Sequence, residues 1–131
     1  MKKSLIALAF GTLALGMTEF VMMGTLADVA NALGITIPQA GHLVSAYALG
    51  VTCGAPLLAV AKQFRPKSIL LFLVCLIFIG ALISSVAQSY EMLLVARFIS
   101  GLPHGAYFGV ASIVAVRLAD EGHKTGAVST I

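Results

Sequence analysis

The chain has 131 residues, of which 60% are hydrophobic and 10% charged, with a formal net charge of +3. A soluble globular domain is about 25% charged, and one of this length cannot hide so much apolar surface. The composition therefore excludes a water-soluble fold and points to an integral membrane protein, and the small positive balance is not read as nucleic-acid binding.

A helix crosses the hydrocarbon core with about 20 residues, and four segments qualify. The first runs from Ser4 to about Leu26 behind Lys2 and Lys3. Its start has the look of a signal peptide, but the apolar run is long for one and further spans follow, so an uncleaved first helix is the better reading. Glu19 interrupts it, in GMTEFVMMG. A charge at the centre of a membrane helix costs about 2.5–3.5 kcal/mol on insertion scales, so such a residue marks a functional site. The methionines around it, Met17, Met22 and Met23, either adapt to apolar ligands or pack the core.

The connection ADVANALGITIPQAG is read as a loop, followed by a second span from about His42 to Ala61. Here Gly50 and Gly54 form a GxxxG pair that lets helix backbones approach closely in lipid. Ser45 and Tyr47 add polar groups, and Pro56 is expected to kink the end. The third span, Ile69 to about Ala87, is bulky and apolar on nearly every face, which suits contact with lipid. Cys53 and Cys75 fall inside apolar runs without metal or redox spacing and read as small core residues.

The fourth span, about Met92 to Val116, carries the most chemistry. Gly101, Gly105 and Gly109 repeat the small-residue spacing, Pro103 is expected to kink the helix, and Arg97, Ser100, His104 and Tyr107 are polar. At about 1.5 Å per residue, Arg97 lies roughly 8 Å from one end of its span and Glu19 roughly 10 Å from the same side of the membrane. Opposite charges at similar depth are expected to pair or to share a watery cavity. The alternative is that each reaches separately for the surface, which Arg97 does more easily than the shorter Glu19. His104 falls on the Arg97 face, offset by about 20°, and reads either as a proton carrier or as a hydrogen-bonded packing residue. Glu19 is the stronger candidate for the titrating group. Tyr47, Ser100 and Tyr107 are candidate cavity-lining residues, with Tyr47 alternatively an interfacial anchor. The tail is polar and then apolar again from about residue 124, as the start of a fifth helix.

Lys and Arg set the orientation. They precede the first span, occupy the second connection as Lys62, Arg65 and Lys67, and follow the fourth span as Arg117 and Lys124. The other two connections hold none. The amino terminus and the 2–3 loop are thus expected in the cytoplasm. The sequence holds no phosphate loop, metal-ligand cluster or nucleophile motif, so neither an enzyme nor a cofactor is expected.

The stretches GMTEFVMMGTLADVA, ITIPQAGHLVSAYALGV with GAPLLA, and RFISGLPHGAYFGV resemble the major facilitator superfamily. They are most similar to its drug–proton antiporter branch, and within that to bacterial sugar-efflux and arabinose-related exporters. Arg97 and Gly101 match the R-x-x-x-G motif of that branch. The 2–3 loop motif, G-x-x-x-D-R-x-G-R-R/K, has decayed to LAVAKQFRPK: Leu58, Lys62, Gln63, Arg65 and Pro66 depart from it and Lys67 agrees. The positive charge stays and the acid is lost, which puts the charge latch of the family in doubt.

The resemblance implies an all-α membrane fold of two six-helix halves built from inverted three-helix repeats. This chain would supply one repeat plus the first helix of the next, spans 1 and 4 being equivalent and both lining the central cavity. It further implies the N-terminal part of a proton-coupled exporter of sugars or drug-like molecules in a bacterial inner membrane, with protons as the coupling ion. The partners it implies are the bilayer, a small-molecule substrate and the remainder of the transporter, without which transport is not expected. Two rivals stand beside it: a dimeric four-helix small multidrug transporter using Glu19, and a non-transporting membrane subunit whose polar residues are structural glue.

Overall fold

The computed structural model describes residues 2–56, 63–119 and 124–131, and the described elements are all helices. They are α1 (Lys2–Gly24), α2 (Leu26–Leu33), α3 (Ile37–Gly54), α4 (Pro66–Val86), α5 (Tyr90–Leu118) and α6 (Lys124–Ser129). The expected first, third and fourth spans correspond to α1, α4 and α5, the three described helices long and apolar enough to cross a membrane. The described part of the second span, α3, is not among them. Its first turns hold Pro38, Gln39 and His42, and the more apolar residues expected to complete it, 57–61, lie outside the described residues together with Lys62.

Local chemistry explains the boundaries. The Thr36 hydroxyl accepts from the Gln39 amide at 3.3 Å, while the Thr36 amide donates to the Gln39 side chain at 2.9 Å. This reciprocal cap, with Pro38 in the first turn, starts α3 five residues before His42. Pro66 opens α4, and the Ser89 hydroxyl caps α5 by accepting from the Met92 amide at 3.2 Å.

One segment read as a loop is a helix. In α2, Leu26, Val29, Ala30 and Leu33 repeat at helical spacing, and that face packs with Met22, Leu43 and Leu93. Asp28 and Asn31 lower its hydropathy without breaking its periodicity. It stops at Gly34, whose φ of 63° is left-handed, a conformation that glycine adopts without steric cost.

α5 is the centre of the bundle and packs against α3, α4 and α1. Beside the cluster at α2, a second apolar cluster joins Leu8 and Leu15 of α1 to Leu73 of α4 and Ala106, Tyr107, Ala111 and Ala115 of α5. α4 leaves Leu71, Phe72 and Phe78 exposed, a surface that hydrocarbon accommodates without cost. Cys53 and Cys75 are exposed free thiols rather than core residues, because they fall on outward faces of α3 and α4.

Candidate functional site

The close approach of α3 to α5 places the site. Gly50 and Gly101 face each other with no side chain between them. A methyl on Gly50 would collide with the Phe98 carbonyl, one on Gly101 with the Tyr47 carbonyl, one on Gly54 with the Leu102 carbonyl, and one on Gly105 with the Val51 carbonyl. Gly109 is half-buried on the same helix. Pro103 is fully buried within α5. It has no amide hydrogen, so the Ile99 carbonyl has no donor four residues on. α5 nevertheless continues without a break from Tyr90 to Leu118.

At this seam, α1, α3 and α5 bring four polar side chains together. Arg97 is only 4% exposed. Its Nη1 donates to the Thr18 carbonyl of α1 at 2.9 Å. Its guanidinium carbon lies 4.4 Å from the centre of the Tyr47 ring, a cation–π contact worth about 2 kcal/mol when desolvated. Nε and Nη2 are buried and have no acceptor among the described residues. The Tyr47 hydroxyl stands 2.7 Å from His104 Nδ1, and the same nitrogen is 3.9 Å from Glu19 Oε2. The His104 ring lies against Phe108, centre to centre 5.2 Å.

The direct Glu19–Arg97 ion pair considered from depth is not the arrangement found. Among the described residues, the contact of Glu19 with an ionisable partner is with His104, and Arg97 is linked to it through Tyr47 and His104. The Glu19 side chain remains 40% exposed, against 15% for His104. The cluster thus runs from a buried, incompletely satisfied cation to a half-exposed acid.

Two candidate lining residues lie elsewhere. Ser100 is buried against Gly80 of α4, and its hydroxyl donates to the Ala96 carbonyl of its own helix at 2.8 Å. Tyr107 is buried against α1, where its hydroxyl donates to the Leu8 carbonyl at 3.2 Å and its ring covers Gly11. Within these helices both make packing contacts. Arg65 and Lys67 are exposed at the start of α4. The parts missed in the sequence are the Thr18 carbonyl, Phe108, and the lone glycines Gly11 and Gly80. A search for paired glycines overlooks the last two, and no side-chain pattern marks a carbonyl.

Beside the cluster, an open and largely apolar groove of about 770 Å³ runs along α1, lined by Thr12, Leu13, Gly16, Met17, Phe20 and Phe108 among others. Phe108 belongs to both the groove and the polar cluster.

A family profile described as Major Facilitator Superfamily matches residues 8–131. The chain is 48% identical over 130 residues to the Escherichia coli (strain K12) protein named "Putative transporter AraJ", covering 98% of this chain and 33% of that one. It is 40% identical to "Inner membrane transport protein YdhP" of the same organism, again covering 33% of the relative. It is 33% identical over 112 residues to the "Chloramphenicol resistance protein" of Streptomyces lividans, covering 85% of this chain and 29% of that one. The chain therefore spans about a third of the length of the curated relatives it matches. The small multidrug transporter reading falls with this match, because that is a different family.

Proposed function

The chain belongs to the major facilitator superfamily, a family of transporters and not of enzymes, and on that premise we propose that it is the N-terminal part of a proton-coupled exporter, with Glu19 as the proton-exchanging group. One observation carries the reading. A half-exposed carboxylate inside an apolar span touches a histidine, and that histidine is bonded to the tyrosine that covers a buried arginine. Placing these groups inside a membrane is costly, so their presence marks a functional site. An acid open on one side and backed by a cation is suited to gaining and losing a proton as the cavity alternates between the two faces of the membrane.

The exported molecule is a small one, a sugar or a drug-like compound. That range is supported by a 27% identical relative from Mannheimia succiniciproducens named "Probable sugar efflux transporter" and by the chloramphenicol-resistance relative. The apolar groove beside Phe108 is compatible with either. The protein works in a bacterial inner membrane, with its amino terminus in the cytoplasm, a reading supported by the placement of lysine and arginine. The chain completes its cavity with a further part of the transporter.

The test uses inverted vesicles from the native membrane with a pH-sensitive dye inside. Addition of a transported sugar or of chloramphenicol is expected to release protons in wild type, and Glu19→Gln is expected to lose at least 90% of that signal. An unchanged signal in the variant contradicts the assignment.

A further inference from the structure

We propose that His104 is a positioning residue that acts as a two-way selector, its Nδ1 serving either Tyr47 or Glu19 and thereby deciding whether Tyr47 stays fixed over Arg97. The inference rests on the coupling role given to Glu19 above. It starts from a conflict of geometry. One ring nitrogen faces two partners, the Tyr47 hydroxyl at 2.7 Å and the Glu19 carboxylate at 3.9 Å. A ring nitrogen carries either a lone pair or a proton. With a lone pair it accepts from the Tyr47 hydroxyl. With a proton it donates, and a carboxylate is the stronger acceptor of a charge-assisted bond.

The proton balance is simple. In the first state His104 is neutral with its hydrogen on Nε2, Tyr47 donates to Nδ1, and Glu19 carries a proton taken up at its exposed side. In the second, the Glu19 carboxylic acid has passed that proton to Nδ1. This leaves a carboxylate and an imidazolium, now bonded to each other, and Tyr47 keeps its own hydrogen and loses its acceptor. No other reactant is required. The Glu19 side chain, 40% exposed and in loose contact, has the freedom to close the remaining ångström, whereas Tyr47 is buried and held at this ring edge.

The consequence falls on Arg97. The Tyr47 ring is the face on which its guanidinium rests, and two of its donors already lack an acceptor among the described residues. Releasing the Tyr47 hydroxyl frees that ring to move and opens Arg97 toward the newly charged Glu19. Among the described residues, the ionisable groups facing His104 are Glu19 from α1 and Tyr47 from α3, with Arg97 behind Tyr47 on α5 itself. Each contributes to one of the two states. The selector thus links a proton at α1 to the α3–α5 seam, where Gly50 and Gly101 leave the backbones in contact.

The experiment is nitrogen NMR of ring-labelled histidine in the protein purified from its membrane and returned to lipid, with the His104 signals identified by their loss in His104→Gln. Wild type is expected to show an Nδ1 signal of a bond-accepting nitrogen at high pH, before the proton is taken up, replaced at lower pH by that of a bond-donating one as the proton gained at Glu19 passes to Nδ1. Tyr47→Phe is expected to lose the first signal at all pH values. Glu19→Gln is expected to keep the first and to lose the charge-assisted character of the second. If either variant leaves its signal as in wild type, the selector is refuted. Exchange seen by NMR together with transport that ignores Glu19 overturns the coupling role and not the selector. Glu19-dependent transport without exchange overturns the selector alone.

Discussion

Arg97 of α5 reaches the main-chain carbonyl of Thr18 in α1 at 2.9 Å, one residue before Glu19. The cation is thus tied to the backbone that carries the acid rather than to the acid itself. That bond leaves the Glu19 carboxyl free to change partners while its helix is held.

Arg97 is expected to separate stability from transport. Arg97 is a buried cation with two donor nitrogens lacking an acceptor among the described residues, so an apolar residue of similar volume removes an uncompensated desolvation penalty. Arg97→Met is therefore expected to keep or raise the unfolding temperature in detergent and to abolish proton release in vesicles. Arg97→Lys, a compact ammonium without the planar fork, is expected to lower transport at least tenfold. Parallel unfolding and vesicle measurements check both, and a Met variant with normal transport contradicts the role of the charge.

The glycine seam is expected to be intolerant where backbones meet and tolerant elsewhere. Gly50→Ala places its methyl on the Phe98 carbonyl, and overpacking of this kind costs about 1–3 kcal/mol. Gly16→Ala meets nothing within 4 Å and is expected to be neutral or to stabilise by about 0.5–1 kcal/mol through helix propensity. Unfolding of the two variants side by side gives the comparison.

Tyr107 is expected to matter for folding and not for coupling. Tyr107→Phe removes the bond to the Leu8 carbonyl and is expected to cost about 0.5–1.5 kcal/mol. Gly11→Ala is expected to cost more, since the Tyr107 ring occupies the space a methyl needs. In both, transport per folded molecule should equal that of wild type, measured as proton release normalised to properly inserted protein.

Orientation is open to labelling. A cysteine placed at exposed Lys67 is expected to react with an impermeant maleimide only when the cytoplasmic face is accessible, and one at exposed Asn31 only from the opposite face. Cys53 and Cys75 are first replaced by serine, as both are exposed. Labelling of both new cysteines from one side contradicts the lysine and arginine argument.

The large features of this fold were legible in the sequence because they are one-dimensional. Apolar runs mark α1, α4 and α5, and a glycine every fourth residue marks the faces of α3 and α5 that approach. α2 is hidden because Asp28 and Asn31 lower the hydropathy of a segment whose apolar residues keep helical spacing. The candidate site was half legible: depth alone placed Glu19 and Arg97 on one side of the membrane, but depth says nothing of rotation. Rotation about α5 decides that Arg97 and His104 face α1 and α3, while Ser100, only three residues from Arg97, faces Gly80 of α4. Likewise nothing in the residue pattern shows that the Tyr47 ring lies between Arg97 and His104, since that depends on how closely Gly50 and Gly101 bring two backbones together.

Whether these helices are the front of a longer transporter is decided by the size of the polypeptide in its native membrane, read with an antibody against the segment between α1 and α3. A band at roughly three times the mass of these 131 residues is expected, in line with relatives of which the chain spans about a third. A single band at the 13.6 kDa of this chain, together with Glu19-dependent proton release from the same vesicles, would contradict the account, because these helices would then transport alone.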